Sequence, residues 1–160
     1  MKQKEKKKQD IVVAVSGPFD PLHVGHVRMF QQAKKLGDTL VVILNNDHWI
    51  RSIGKKRPPF MPEKERKEII EAIGCVDKVV ISSHPKNTDD RSVCKDLEKL
   101  KPDIFANGGD RFLHNIPEVA MCEKIFCKMV FGVGKGGKIQ SSSWLLKKYA
   151  DETQKQKPPQ

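Results

Sequence analysis

Aromatic residues are scarce, at 6% of the 160 residues, with one Tyr and two Trp. With no RNA-recognition motif either, that scarcity argues against base stacking as the main business of the chain. The four cysteines, Cys75, Cys94, Cys122 and Cys127, show no paired CxxC spacing, so neither a zinc site nor a disulfide framework is indicated. Buried free thiols in a reducing compartment are the expectation. No apolar run approaches the ~20 residues that span a bilayer, and the start "MKQKEKKKQD" is no secretory signal. The expected setting is cytoplasmic, away from any membrane. Internal repeats are also lacking, and residues 128–148 contain no acid at all.

What the chain has in excess is positive charge. The formal net charge is +10, of which residues 1–10 contribute +3 (five lysines against Glu5 and Asp10) and residues 151–160 contribute zero, leaving +7 on the body. Such a body favours an anionic partner without choosing between nucleotides, phosphorylated metabolites and nucleic acid. The size fits one domain. Its expected limits are 10–150, between a basic disordered tail over 1–9 and a polar disordered tail over 151–160.

Between the tails, apolar and amphipathic segments alternate. "IVVAV" at 11–15, "TLVVILN" at 39–45, "DKVVIS" at 77–82, "DIFAN" at 103–107 and "KIFCKMVF" at 124–131 are short and rich in β-branched residues. Most run continuously, as strands covered on both faces do. Helices are expected over 24–36, 62–73, 88–100, 116–123 and 141–150. Thr88 is the expected cap of the third, and Pro62 suits the first position of the second. This rhythm predicts an α/β, Rossmann-like, doubly wound parallel sheet of about five strands with helices on both faces. Ligands of such sheets sit beyond the carboxyl ends of the strands.

The first such junction reads "SGPFDPLHVGH", residues 16–26, and holds two of the five histidines. Gly17, Pro18 and Pro21 impose an irregular turn. A helix starting near Val24 places His23 and His26 together on its first turn, where unpaired N–H groups and the helix dipole favour an anion. Gly25 lets a bulky ligand approach the backbone closely. Phosphate is the natural guest. A metal pair is the poorer reading, because "HVGH" lacks the neighbouring carboxylate of HExxH sites.

"GPFDPLHVGH" resembles the signature of the nucleotidyltransferase superfamily, most closely its cytidylyltransferase-like branch. That branch includes glycerol-3-phosphate cytidylyltransferase, the adenylyltransferase domain of ADP-heptose synthesis and archaeal FAD synthetase. "AKKLGDTLVVILNND", "RPPFMPEKERKEIIEAIGCVDKVV", "LKPDIFANGGD" and "SSSWLLKK" resemble further family segments in order, so the likeness covers roughly residues 11–149.

The resemblance implies in-line attack by a phosphorylated small alcohol or sugar phosphate on the α-phosphate of CTP or ATP, with release of pyrophosphate and with Mg2+ as cofactor. Transfer of adenylate to a sugar 1-phosphate is one alternative. A basic nucleic-acid-binding module is another, from a different class. His23, His26 and Lys55 become the catalytic candidates. Gly17, Phe19, Asp20, Gly25, Asp110, Lys138, Ser141, Ser142 and Ser143 become nucleotide-binding candidates, and Asp47, Trp49 and Arg66 acceptor-binding candidates. Asp20 also occupies the position where family members help to hold Mg2+ or the acceptor. The serine segment departs from the family pattern: no arginine stands upstream and Ile139 lies near the family's glycine, which leaves Lys135 or Lys138 to supply the charge. A homodimer is the further implication.

Overall fold

A computed structural model describes residues 10–109, 111–114, 116–134 and 140–155. Five strands, β1 (Val12–Gly17), β2 (Thr39–Leu44), β3 (Lys78–Ile81), β4 (Ile104–Gly108) and β5 (Lys128–Val133), form one sheet. Their order is β3-β2-β1-β4-β5, and every pairing is parallel. Six helices accompany them: α1 (Val24–Lys34), α2 (Asp47–Trp49), α3 (Glu63–Glu71), α4 (Cys94–Leu100), α5 (Val119–Lys124) and α6 (Ser142–Lys155). The fold is α/β and Rossmann-like, as expected.

Both faces of the sheet are covered. Val13, Val15, Leu40, Val42 and Leu44 join Phe30 and Ile70 in one core cluster, while Ala14, Ile43 and Phe105 join Val93 and Leu97 in the other. Alternate residues of one strand therefore feed opposite cores, which is why the strand segments read as unbroken apolar runs. Truncating one of these large buried aliphatics to Ala costs about 2–5 kcal/mol.

At the amino ends of the strands, three aspartates satisfy backbone N–H groups that the ladders leave over. Asp38 Oδ2 accepts from Ile11 N at 2.9 Å, Asp77 Oδ2 from Leu40 N at 2.6 Å and Asp103 Oδ2 from Val12 N at 2.7 Å. The opposite, carboxyl end is left for chemistry. The chain moves outward from β1 through β2 to β3, then returns to the other side of β1 with β4. Connections leave β1 and β4 in opposite directions there, opening a crevice at the switch point.

Several boundaries differ from expectation. The third helix begins at Cys94, because Thr88 and Asp90 draw the chain into local turns: Thr88 Oγ1 accepts from Asp90 N, and Asp90 Oδ1 from Ser92 N. Residues 124–127 belong to the end of α5 and a turn through Phe126 at φ 57°, so β5 starts at Lys128. Helix α6 continues to Lys155, five residues past the expected domain limit at 150. The sequence reading also missed α2, which runs into a π-helical turn over Ile50–Gly54.

Candidate active site

A cavity of about 240 Å³ opens at the switch point. The ends of β1, β4 and β5 form its floor through Ser16, Gly17, Ala106 to Gly108, and Val133. The first turn of α1 supplies His23, Gly25 and His26, while Ser141 and Ser142 close it from the start of α6. Residues 121 positions apart thus meet because both helices begin at the same edge of the sheet. Ser142 Oγ ties them directly, donating to Pro21 O at 2.8 Å.

The two imidazoles are stacked, with centroids 3.6 Å apart and planes inclined by 22°. His23 is the N-cap of α1, in extended conformation at φ −148°. Its backbone N–H donates to His26 Nδ1 at 3.3 Å. With Nδ1 occupied as an acceptor, the neutral ring of His26 carries its proton on Nε2. Burial, then the neighbouring His23, then the charge of Lys55 push the pKa of His26 down to about 3, and burial lowers that of His23. Both rings are thus biased towards the neutral form, in which an imidazole carries one uncharged N–H.

Behind them stands Phe19, 2% exposed, edge-on to His26 at 4.9 Å and to Phe30 at 5.0 Å. Gly17 makes room for this ring, since a Cβ there would lie 2.9 Å from Phe19 Cζ. Gly17 and Phe19 both line the cavity, and Phe19 packs edge-on against the ring of His26.

Positive charge enters from three sides, as Lys55, Arg28 and Arg111 all line the cavity. The sequence reading named Lys55 and missed the two arginines. Arg111 directly follows the "NGGD" already singled out, so its position was a usable signal. Arg28 had none, because only the docking of α1 beside β5 brings it to the rim. Asn107 and Gln140 also line the cavity and were also missed.

Other candidates sit elsewhere. Arg66 is 1% exposed and every nitrogen of its fork is engaged: Nε donates to Met61 O at 2.9 Å, Nη1 to Asn45 O at 2.9 Å and to Pro18 O, and Nη2 to Asp47 Oδ1. Four of its five N–H donors are thus committed to this buried frame. Asp47 is committed to that pair, and its backbone N–H donates to Glu63 Oε2 at 2.7 Å. Trp49 is 8% exposed, covers Gly54 and donates from Nε1 to Arg91 O at 3.3 Å. None of the three lines the cavity. Arg66 and Asp47 clip the end of β2 to α3.

Asp20 is also withdrawn from the cavity, fully buried, with both carboxylate oxygens accepting hydrogen bonds from the chain. It does not fit a Mg2+ ligand. Among the described residues no group of three or more His, Cys, Asp or Glu could hold a metal ion, and no carboxylate lines the cavity. Ser143 is exposed and is not part of the cavity lining, whereas Ser141 and Ser142 belong to it. Asp110, Lys135 and Lys138 lie outside the described residues.

The family model described as Cytidylyltransferase-like matches residues 14–134, from the middle of β1 to the end of β5. The chain belongs to this family. As a cytidylyltransferase-like protein it is a nucleotidyltransferase, and the histidine pair falls within the matched region.

An FAD synthase of Thermococcus kodakarensis is 40% identical over 121 residues, 76% of this chain and 72% of that relative. An FAD synthase of Thermococcus onnurineus is 43% identical over 111 residues, 69% of each. The bifunctional protein HldE of Syntrophotalea carbinolica is 40% identical over 106 residues, 66% of this chain but only 20% of that relative. Among solved structures, a lipopolysaccharide core biosynthesis protein from Thermoplasma volcanium superposes with a TM-score of 0.64 at 28% identity, covering 80% of this chain and all of that one. Among the described residues, no helix is long and apolar enough to cross a membrane.

Proposed function

We propose that this nucleotidyltransferase is an adenylyltransferase that joins ATP to the phosphate of FMN, giving FAD and pyrophosphate. The observation carrying the reading is the stacked His23–His26 pair in one cavity with the start of α6 and with Lys55, Arg28 and Arg111. The choice of donor and acceptor is supported by the relatives named FAD synthase, which this chain matches over about 70% of their length in two Thermococcus species. FAD is FMN carrying an adenylate, so its synthesis calls for ATP. The sequence reading, which put CTP first, gives way here to ATP.

In the reaction a phosphate oxygen of FMN attacks the α-phosphorus of ATP, the new P–O bond forms and the bond to the β-phosphate bridging oxygen breaks. Pyrophosphate carries away the electron pair of that bond. No covalent intermediate on the protein is required, so catalysis consists of alignment and of donors aimed where charge develops. His26 Nε2–H is one such donor, oriented by the bond its Nδ1 accepts. His23 stacks beside it. The N-terminal turn of α6 presents the positive end of its helix dipole to the departing phosphates. Lys55, Arg28 and Arg111 offset the repulsion between two phosphorylated substrates. Since the described lining offers no carboxylate cage, Mg2+ enters with the triphosphate as part of the substrate.

The test is pyrophosphate release and product chromatography with ATP or CTP against FMN and a sugar 1-phosphate. FAD formation from ATP and FMN is expected, lost by at least about 100-fold in His23→Ala with an unchanged circular dichroism spectrum. Near-wild-type turnover in that variant, or turnover confined to the sugar phosphate, refutes the assignment. The sugar phosphate is the second reading, favoured by the similarity to HldE.

A further inference from the structure

The segment 55–61 brings Lys55 to the cavity, yet it belongs to no helix or strand. Something must fix it. On its amino-terminal side Lys55 N and Lys56 N both donate to Ile50 O, at 3.2 and 2.9 Å, closing the π-helical turn. On its carboxyl-terminal side the bonds converge on Asp20. Arg57 Nη1 donates to Asp20 Oδ2, Phe60 N to Asp20 Oδ2 and Met61 N to Asp20 Oδ1, all at 2.8 Å, while Arg57 Nη2 donates to Asp20 O at 2.7 Å.

Asp20 is 0% exposed, so these bonds are made away from water, where a charged acceptor binds its donors most strongly. The same residue lies three positions before His23. One carboxylate therefore joins the turn bearing the histidines to the segment bearing Lys55. We infer that Asp20 and Arg57 are positioning residues of the nucleotidyl-transfer site, setting where Lys55 stands relative to His23 and His26. Lys55 lines the same cavity as His23 and His26. Gly54, just before Lys55, adds a second constraint, since a Cβ there would collide with the Trp49 ring at 1.9 Å.

This inference rests on the cavity being a triphosphate site, and it is independent of the acceptor. Two measurements test it on the full chain. First, trypsin cleavage after Lys55 and Lys56 is followed without substrate. Asp20→Asn and Arg57→Gln are expected to accelerate it about tenfold, because local opening exposes the segment. Second, a double-mutant cycle pairs Arg57→Gln with Lys55→Ala, read through heat stabilisation by Mg-ATP and through kcat/KM. Arg57→Gln is expected to lower kcat/KM about 10- to 100-fold when Lys55 is present, the size of effect that a small misplacement produces. In the Lys55→Ala background it should add less than about twofold, since a residue acting only through Lys55 has nothing left to position.

Arg57 is half-buried, so its variant tests the idea even if Asp20→Asn fails to fold. Independent, multiplying effects overturn the inference, as does unchanged cleavage. If the wild-type chain makes no FAD, the acceptor assignment fails, while the cycle still reads through Mg-ATP stabilisation. Loss of that stabilisation in the wild-type chain as well would overturn both.

Discussion

Replacing Arg66 with Met separates two roles that a buried arginine near a phosphate site could have. Its guanidinium supplies Pro18 O, Asn45 O and Met61 O and pairs with the Asp47 carboxylate, whose side chain is 25% exposed. Methionine fills similar volume but leaves those carbonyls without a donor. The carboxylate can recover part of its hydration, the buried carbonyls cannot. Breaking one side of such a pair costs about 3–5 kcal/mol. At a urea dependence of about 2 kcal/mol per molar, the unfolding midpoint should fall by about 1.5–2.5 M. Arg66→Lys should lose nearly as much, because a single ammonium cannot span four acceptors in a planar fork. Urea melts followed by far-ultraviolet circular dichroism measure the loss, and Mg-ATP binding below the transition measures the site. A midpoint loss worth less than about 1 kcal/mol, the range of an exposed pair, would refute the clip. Stability that holds while ATP affinity collapses would restore Arg66 as a phosphate contact.

Acid should weaken the fold through His26. Its folded pKa near 3 lies below the value near 6.5 expected when unfolded, so the unfolded chain binds the extra proton and stability falls as pH drops from about 6.5 towards 3. The His26 contribution reaches about 2 kcal/mol by pH 5, read as the difference between wild type and His26→Gln in urea melts. Parallel pH profiles for the two proteins would contradict it. Gly54→Ala should cost about 1–3 kcal/mol from overlap with Trp49, and should lower kcat/KM as well by displacing Lys55. A stable, fully active alanine variant would show that the indole does not fix that turn.

Much of the fold was legible because its determinants are local. Continuous β-branched runs mark strands buried on both faces, whereas the aspartates of "GD", "VD" and "PD" before β2, β3 and β4 showed their capping role only in the structure. Errors fell where two local preferences compete. Thr88, Asp90 and Ser92 suit a helix start by type, yet their side chains take the backbone N–H groups first and delay α4 to Cys94. The apolar "KIFC" has strand composition but completes the turn after α5, with Cys127 N donating back to Cys122 O at 2.8 Å.

The site divides along a different line. Residues on the first turn of a helix were readable, since spacing alone puts His23, Gly25 and His26 together, and all three line the cavity. Residue type proved ambiguous for Asp20 and Asp47, just beyond strands, and for Arg66 in α3, because the chemistry that grips a phosphate or metal also grips a backbone. Which of the two occurs depends on whether the donors of the neighbouring loop are already satisfied. In segment 57–61 they are not: two prolines interrupt it, no ladder or helix takes the N–H groups of Phe60 and Met61, and a carboxylate beside it is drawn inward to accept them. The same deficit explains why Arg66 is buried, since the carbonyls of Pro18, Asn45 and Met61 end their strands and turns without partners. Irregular backbone around the histidines thus recruits charged residues away from the ligand and into the frame. The positive side chains that line the cavity are instead Lys55, Arg28 and Arg111.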